Sequence, residues 1–77
     1  MLGSFVWAER RRHGWSQTAL ARRAGCPRAA LSRLERGLTL RVDRAFVERL
    51  AAALVLPVEV LERAAGPQLW QIGRAHV

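Results

Sequence analysis

Three arginines are spaced so that they share one face of a short predicted helix. Arg28, Arg33 and Arg36 fall on one side of a helical wheel, whereas Leu31 and Leu34 fall on the other. A guanidinium group is a planar fork of N–H donors that binds phosphate and the O6 and N7 acceptors of guanine. An α-helix fits into the major groove of DNA, so this spacing favours nucleic-acid binding.

A helix of this kind needs a neighbour that holds its arginine face outward. The segment from Gln17 to Gly37 predicts two short helices joined by a tight turn. Gly25 supplies the positive φ of that turn, and Ala21 is small where the two helices must cross closely. The wedge that fixes the angle between the two helices consists of Leu20, Ala24, Leu31 and Leu34.

Apolar spacing and helix-ending residues predict three more helices in the rest of the chain. The complete sequence therefore predicts five helical segments and an all-α fold. The first runs from about Ser4 to His13 and ends at Gly14. Its predicted inner side consists of Phe5, Val6, Trp7 and Ala8. Ser16 caps the second helix, and Pro27 lies in the first turn of the third.

The last two predicted helices follow a loop that ends at Asp43, the expected N-cap of the fourth helix. Pro57 opens the fifth helix, and Gly66-Pro67 ends it. The residues that we expect to face inward on these helices are Phe46, Val47, Leu50, Ala51, Leu54, Val58, Val60 and Leu61.

Composition narrows the choice of partner and of function class. The chain has 77 residues and a net charge of +7, and all thirteen of its basic residues are arginine. This balance moderately favours a polyanionic partner. No apolar run approaches the roughly 18 residues of a membrane span, and we expect a cytoplasmic protein without a signal peptide. We expect no enzyme, metal site or cofactor, because neither a nucleophile–base set nor a phosphate loop is present.

The last seven residues are expected to have a different origin from the rest. Ile72 to Val77 can be encoded by the codons ATC GGA AGA GCA CAC GTC, which match the start of a widely used sequencing adapter. We therefore interpret residues 71–77 as adapter read-through. Residues 1–66 are predicted to form a single domain, and residues 67–70 the start of a linker or of a lost C-terminal part.

These motifs resemble the repressor-type helix-turn-helix family of phage and bacteria, also called Cro/repressor-like or xenobiotic-response-element-like domains. The resemblance covers about residues 2–64 and rests on Gly14-Trp15-Ser16-Gln17, Leu20-Ala21, Ala24-Gly25, Leu31-Ser32-Arg33-Leu34-Glu35-Arg36-Gly37, Leu50-Ala51 and Ala53-Leu54. It implies a compact five-helix, lambda-repressor-like domain whose helices 2 and 3 form the helix-turn-helix.

The resemblance also implies a role for individual residues. The positions that match base-edge contacts in the family are Arg28, Ala29, Ser32 and Arg33. The positions expected at the phosphate backbone are Ser16, Gln17, Arg36, Arg41 and Arg44. Arg10 and Glu35 match a pair that often forms a salt bridge between the first and third helices.

Three departures from the family pattern affect helix boundaries. Pro27 stands where a serine or threonine cap is common, and Val42-Asp43 replaces the proline-serine often found before the fourth helix. Val55 replaces the glycine that frequently ends the fourth helix, so the turn into the fifth helix lacks the residue that is usual there.

The leading functional hypothesis is a repressor-type transcriptional regulator that binds a palindromic operator as a homodimer. An antitoxin, which binds a toxin and autoregulates through the same fold, is the alternative. A cationic membrane-surface peptide is disfavoured because the apolar residues divide among several short helices. Candidates for a dimer contact are Leu56, Val60, Leu61 and Leu69, although plain core packing explains them at least as well.

The remaining reactive or aromatic residues have ordinary explanations. Cys26 is expected to be a small turn residue rather than a redox sensor, because the sequence offers no second cysteine. His13 is expected to be exposed at a helix end. Trp7 and Trp15 are predicted at the edge of the core, with base stacking as the alternative.

Overall fold

The computed structural model describes residues 1–70, which form five helices around one apolar core. The helices are α1 (Leu2–His13), α2 (Gln17–Ala24), α3 (Arg28–Glu35), α4 (Arg44–Leu54) and α5 (Val58–Ala65). The all-α, five-helix fold predicted from the sequence is confirmed. Among the described residues, no helix is both long enough and apolar enough to span a membrane.

Helix α1 begins two residues earlier than predicted, and only part of its predicted inner side, Phe5 and Val6, packs on the core. Leu2, Val6 and Arg10 are buried, whereas Trp7 and Ala8 are exposed, so placing these two on the inner side was wrong. These buried positions are four residues apart, so they lie on one face of the helix. This face packs on both α3 and α5. Gly3 is also buried, and a Cβ there would collide with the backbone carbonyl of Leu34.

The core is built mainly from leucine, with helices contributing from all sides. Helix α2 packs on α3 and α4, and α5 packs on α1 and α4. The fully buried large side chains are Leu2, Val6, Leu20, Leu31, Leu34, Val47, Leu50, Leu54 and Leu61. Against this cluster lie the partly buried side chains of Phe46, Val58 and Val60, which were predicted to face inward.

The helix boundaries follow the caps that the sequence predicts. The Ser16 hydroxyl accepts a hydrogen bond from the Ala19 N–H at 3.1 Å, and the Asp43 carboxylate accepts one from the Phe46 N–H at 2.7 Å. Pro27 and Pro57 stand one position earlier than predicted, as N-caps with extended backbone. Val55 ends α4 in the left-handed conformation, at φ 59° and ψ 48°.

A short C-terminal strap, residues 66–70, closes the fold. It comprises a 3₁₀ turn (Gly66–Gln68) and strand β2 (Leu69–Trp70), which pairs in parallel with strand β1 (Val42–Asp43). Two-residue strands leave no alternation in the sequence, which is why no strand was predicted. Within the segment predicted to start a linker or a lost C-terminal part, Gln68 is buried and Leu69 packs against the core. The predicted adapter segment 71–77 lies outside the described residues.

Candidate nucleic-acid interface

Helix α3 is held by two neighbours and turns one face to solvent. Its apolar side, with Leu31 and Leu34, is buried against α1 and α2. The turn before it places Gly25 at φ 68°, and the N–H groups of Gly25 and Cys26 bond to carbonyls in the last turn of α2. Ala21 is buried between the helices, as its size predicts.

The outward face of α3 carries the four residues predicted to contact bases. Arg28, Ala29 and Arg33 are exposed, and Ser32 is half-buried beside them. Arg36 follows at the C-terminal end of the helix and is also exposed. Within residues 1–70 neither Arg33 nor Arg36 forms an ion pair, so both guanidinium groups can donate to an anionic or carbonyl acceptor.

The predicted salt bridge between α1 and α3 is present and is largely shielded from water. Arg10 Nε and Nη2 donate to the two Glu35 carboxylate oxygens at 2.7 and 2.8 Å, a bidentate pair. The two side chains are only 11% and 2% exposed. The hydrogen bond to Glu35 raises the pKa of Arg10 above its ordinary value, against the opposing effect of burial. Arg10 Nη1 also donates to the Trp15 carbonyl at 2.9 Å, which ties down the α1–α2 turn.

Gln17 connects this buried pair to the outward face of α3. Its Nε2 donates to Glu35 Oε1 at 3.0 Å, and its Oε1 accepts from Arg28 Nη1 at 2.9 Å. A predicted phosphate contact and a predicted base contact are thus hydrogen-bonded to each other. Arg28 uses one of five N–H donors in this bond, and the remainder of its guanidinium stays exposed.

The other residues predicted at phosphates do not form one cluster. Ser16 is exposed, with its hydroxyl already accepting the cap hydrogen bond of α2. Arg41 is exposed in the loop between α3 and α4. Arg44 forms ion pairs with Glu48, at 3.0 Å, and with Glu62 on α5. A phosphate contact by Arg44 therefore has to compete with two carboxylates.

Aromatic and sulfur-containing residues lie around the edge of this interface. His13 is exposed as predicted and stacks on Trp15, with ring centroids 4.2 Å apart. Trp7 is 46% exposed and lies under the Arg11 guanidinium, outside the core edge predicted for it. Cys26 is half-buried beside the start of α3; burial raises the pKa of its thiol, while Arg49 opposes that shift.

One of the four dimer candidates has the alternative explanation, core packing, and one important residue was not predicted. Leu61 is fully buried in the core and therefore cannot form a dimer surface in this fold, whereas Leu56, Val60 and Leu69 are partly buried. Gln68 was missed, because no local pattern distinguishes a buried glutamine from an exposed one. In the described part of the chain, no three histidine, cysteine or acidic side chains cluster closely enough to hold a metal ion.

Comparison with known proteins places this geometry in a family. A family model described as a helix-turn-helix domain matches residues 2–64. The chain therefore belongs to the helix-turn-helix domain family, as the resemblance of its motifs implied. A search of curated proteins found no match.

Two solved structures contain a similar chain, the regulator SinR. A crystal structure of SinR, the master regulator for biofilm formation, in complex with DNA has a TM-score of 0.75 and 33% identity; the match covers 79% of this chain and 97% of that one. A complex of SinR with the SinI protein has a TM-score of 0.77 and 30% identity, over 92% of this chain and 69% of the other.

Proposed function

We propose that this chain is a sequence-specific DNA-binding domain of a repressor-type transcriptional regulator, which lays α3 in the major groove. The observation that carries the proposal is the outward face of α3, where exposed arginines flank Ala29 and Ser32. Helix α2 and the Arg10–Glu35 pair hold this helix in place from behind. The likeness to SinR, which was solved in complex with DNA, supports the same conclusion.

Base reading is assigned to the predicted face of α3. Arg28 and Arg33 each bind guanine O6 and N7, a contact that discriminates by about 1–3 kcal/mol. Ala29 offers a methyl surface to thymine, and Ser32 a hydroxyl to either kind of base. Gln17 positions Arg28 through their hydrogen bond, in addition to the phosphate contact predicted for it.

Backbone phosphates surround this face. Ser16 and Gln17 lie at the N-terminus of α2, where helix N–H groups favour an anion. Arg36 and Arg41 flank the loop that follows α3, and Arg44 joins them when DNA displaces its carboxylate partners. Such contacts fix the register of the protein without reading sequence.

A homodimer on a palindromic site completes this proposal. Two copies would place their α3 helices about 34 Å apart, one turn of DNA. Such a regulator acts where the genome is, which in a bacterial or phage-infected cell is the cytoplasm.

Substitution of two arginines tests the division between base and phosphate contacts. Arg33→Ala should lose about 1–3 kcal/mol at a selected site while sparing non-specific binding. Arg41→Ala should weaken binding to all sequences alike and reduce the dependence on salt. Arg63→Ala, an exposed arginine on α5, is the matched control for charge. Equal losses from Arg33→Ala on selected and random DNA would refute the base-reading role.

An antitoxin-type module is the second candidate, because one of the similar structures is a complex of SinR with another protein, SinI. In that case the DNA-binding fold serves autoregulation and the chain also binds a toxin. Co-expression with the product of a short neighbouring gene, followed by co-purification, distinguishes the two. A stable complex that neutralises a toxic neighbour supports the antitoxin; binding to DNA alone supports the repressor.

A further inference from the structure

We infer that Gln68 is a positioning residue for the DNA-backbone loop between α3 and α4. This inference rests on the proposed function, and it begins with the burial of a polar side chain. Gln68 is 7% exposed, a burial comparable to that of Arg10, although Gln68 has no charged partner. A buried amide is favourable only when its hydrogen bonds are made.

Both ends of the Gln68 amide are hydrogen-bonded, and each reaches a distant part of the chain. Its Oε1 accepts from the Leu2 N–H at 3.0 Å, in the first turn of α1. Its Nε2 donates to the Thr39 carbonyl at 3.0 Å, in the loop that follows α3. Since Met1 provides no side-chain cap, Gln68 caps the start of α1 although it lies 66 residues further along the chain.

The strap fixes the loop at two points, on either side of Arg41. Gln68 holds Thr39, two residues before Arg41, and strand β2 pairs Leu69 with Val42, one residue after it. Neighbouring Leu40 is 82% exposed, so the loop has little packing of its own at this position. The strap therefore supplies the order that a phosphate contact by Arg41 requires.

Holding a loop in its bound conformation removes an entropic penalty from binding. Without the Gln68–Thr39 bond, DNA must order the loop, and affinity falls for every sequence. Gln68 touches no position assigned to base reading, so the preference for one sequence over another is unaffected.

Gln68→Glu is the sharpest variant, because the carboxylate keeps the size of the amide and still accepts from Leu2. The ionised carboxylate has no donor for Thr39, so in this state the bond to the loop is lost. The measurements are made at a pH high enough to keep the buried carboxyl ionised, because a protonated carboxyl still donates. Gln68→Met, which is similar in size and uncharged, serves as a second variant if Gln68→Glu does not fold. Arg63→Gln reproduces the change in charge at an exposed position on α5.

The experiment measures the affinity of the full chain for a selected site and for a random-sequence duplex, at one salt concentration and under conditions where each variant is folded. We expect the affinity of Gln68→Glu to fall about threefold to tenfold on both DNAs. Arg63→Gln should change neither the affinity nor the preference for the selected site. In an Arg41→Ala background the same substitution should cause no further loss. An equal loss in that background, or a changed sequence preference, would overturn the inference.

Backbone NMR relaxation without DNA separates this inference from the proposed function. The amides of residues 38–41 should become more mobile in Gln68→Glu than in the unmodified chain. If the unmodified chain binds no DNA, the proposed function fails while the relaxation result still decides whether Gln68 orders the loop. Unchanged relaxation together with unchanged affinity would show that Gln68 has no positioning role.

Discussion

The N-terminal half of the domain (α1 to α3) and the C-terminal half (α4 and α5) contain similar turns and similar ion pairs in different environments. The turn from α2 to α3 and the turn from α4 to α5 have nearly the same backbone, with a left-handed residue and, two positions later, an extended proline. Gly25 takes the left-handed position in the first turn, and Val55 takes it in the second. The fold therefore requires a left-handed residue at this position of each turn. Whether that residue is glycine or valine determines how much backbone strain the turn contains.

The two halves of the domain also differ in the burial of an ion pair between helices. Each half joins two helices through an arginine and a carboxylate, namely Arg10–Glu35 in the first and Arg44–Glu62 in the second. The first pair is largely buried, whereas Arg44 is 54% exposed. Water screens the second pair, so we expect the N-terminal half to depend on its ion pair and the C-terminal half not to.

Glu35→Ala should cause the largest loss. Removing the carboxylate leaves the Arg10 charge buried without its bidentate partner, which destabilises the fold by about 3 kcal/mol or more. Urea denaturation of the full chain measures this free energy of unfolding. The matched control, Arg44→Ala, should lose about 1 kcal/mol or less. Similar losses from both variants would show that burial does not separate the two pairs.

The Arg10–Glu35 pair also shows how far the sequence could predict the site. Its two members were predicted from family resemblance, and the outward face of α3 followed from helical spacing alone. The bonds from Gln17 to Glu35 and Arg28 could not be predicted, because they depend on rotamers and on the crossing of α1, α2 and α3. Gln68 was beyond reach for a similar reason, since its partners lie 29 and 66 residues away.

Gly25→Val should cause an intermediate loss. A Cβ at this position meets no atom within 4 Å, so the penalty arises from the left-handed backbone alone. For a β-branched residue we expect a loss of about 1–2 kcal/mol in the free energy of unfolding. Thermal denaturation followed by circular dichroism provides the measurement. Gly25→Asn, which tolerates this conformation, is the control and should lose less.

Val55→Gly should produce the smallest change, and a gain rather than a loss. Val55 is 81% exposed, so little packing is lost when its side chain is removed. Relief of the left-handed strain exceeds the extra entropy of an unfolded glycine, for a net gain of about 0.5–1 kcal/mol. The same thermal denaturation measures it. A loss of stability would mean that the Val55 side chain contributes more by packing than its backbone loses by strain.

The turn at Val55 illustrates what the fold prediction could and could not provide. Pro57 and the apolar spacing of α4 predicted that a helix ends near this point, and it does. The left-handed valine itself could not be predicted from propensity, because surrounding structure overrides the preference of one residue. Similarly, Val6 was correctly predicted on the inner side of α1, whereas Trp7 and Ala8 were wrong, because packing on α3 and α5 buries Leu2 and Gly3 instead.

Selection of bound sequences from a random DNA pool, at a stated salt concentration, tests the central claim most directly. The full chain should enrich a guanine-containing inverted repeat, because Arg28 and Arg33 read guanine from the outward face of α3. The double variant Arg28→Ala/Arg33→Ala should retain weak, salt-dependent binding without that preference. Recovery of the same repeat by the double variant would contradict the assignment of base reading to these two arginines.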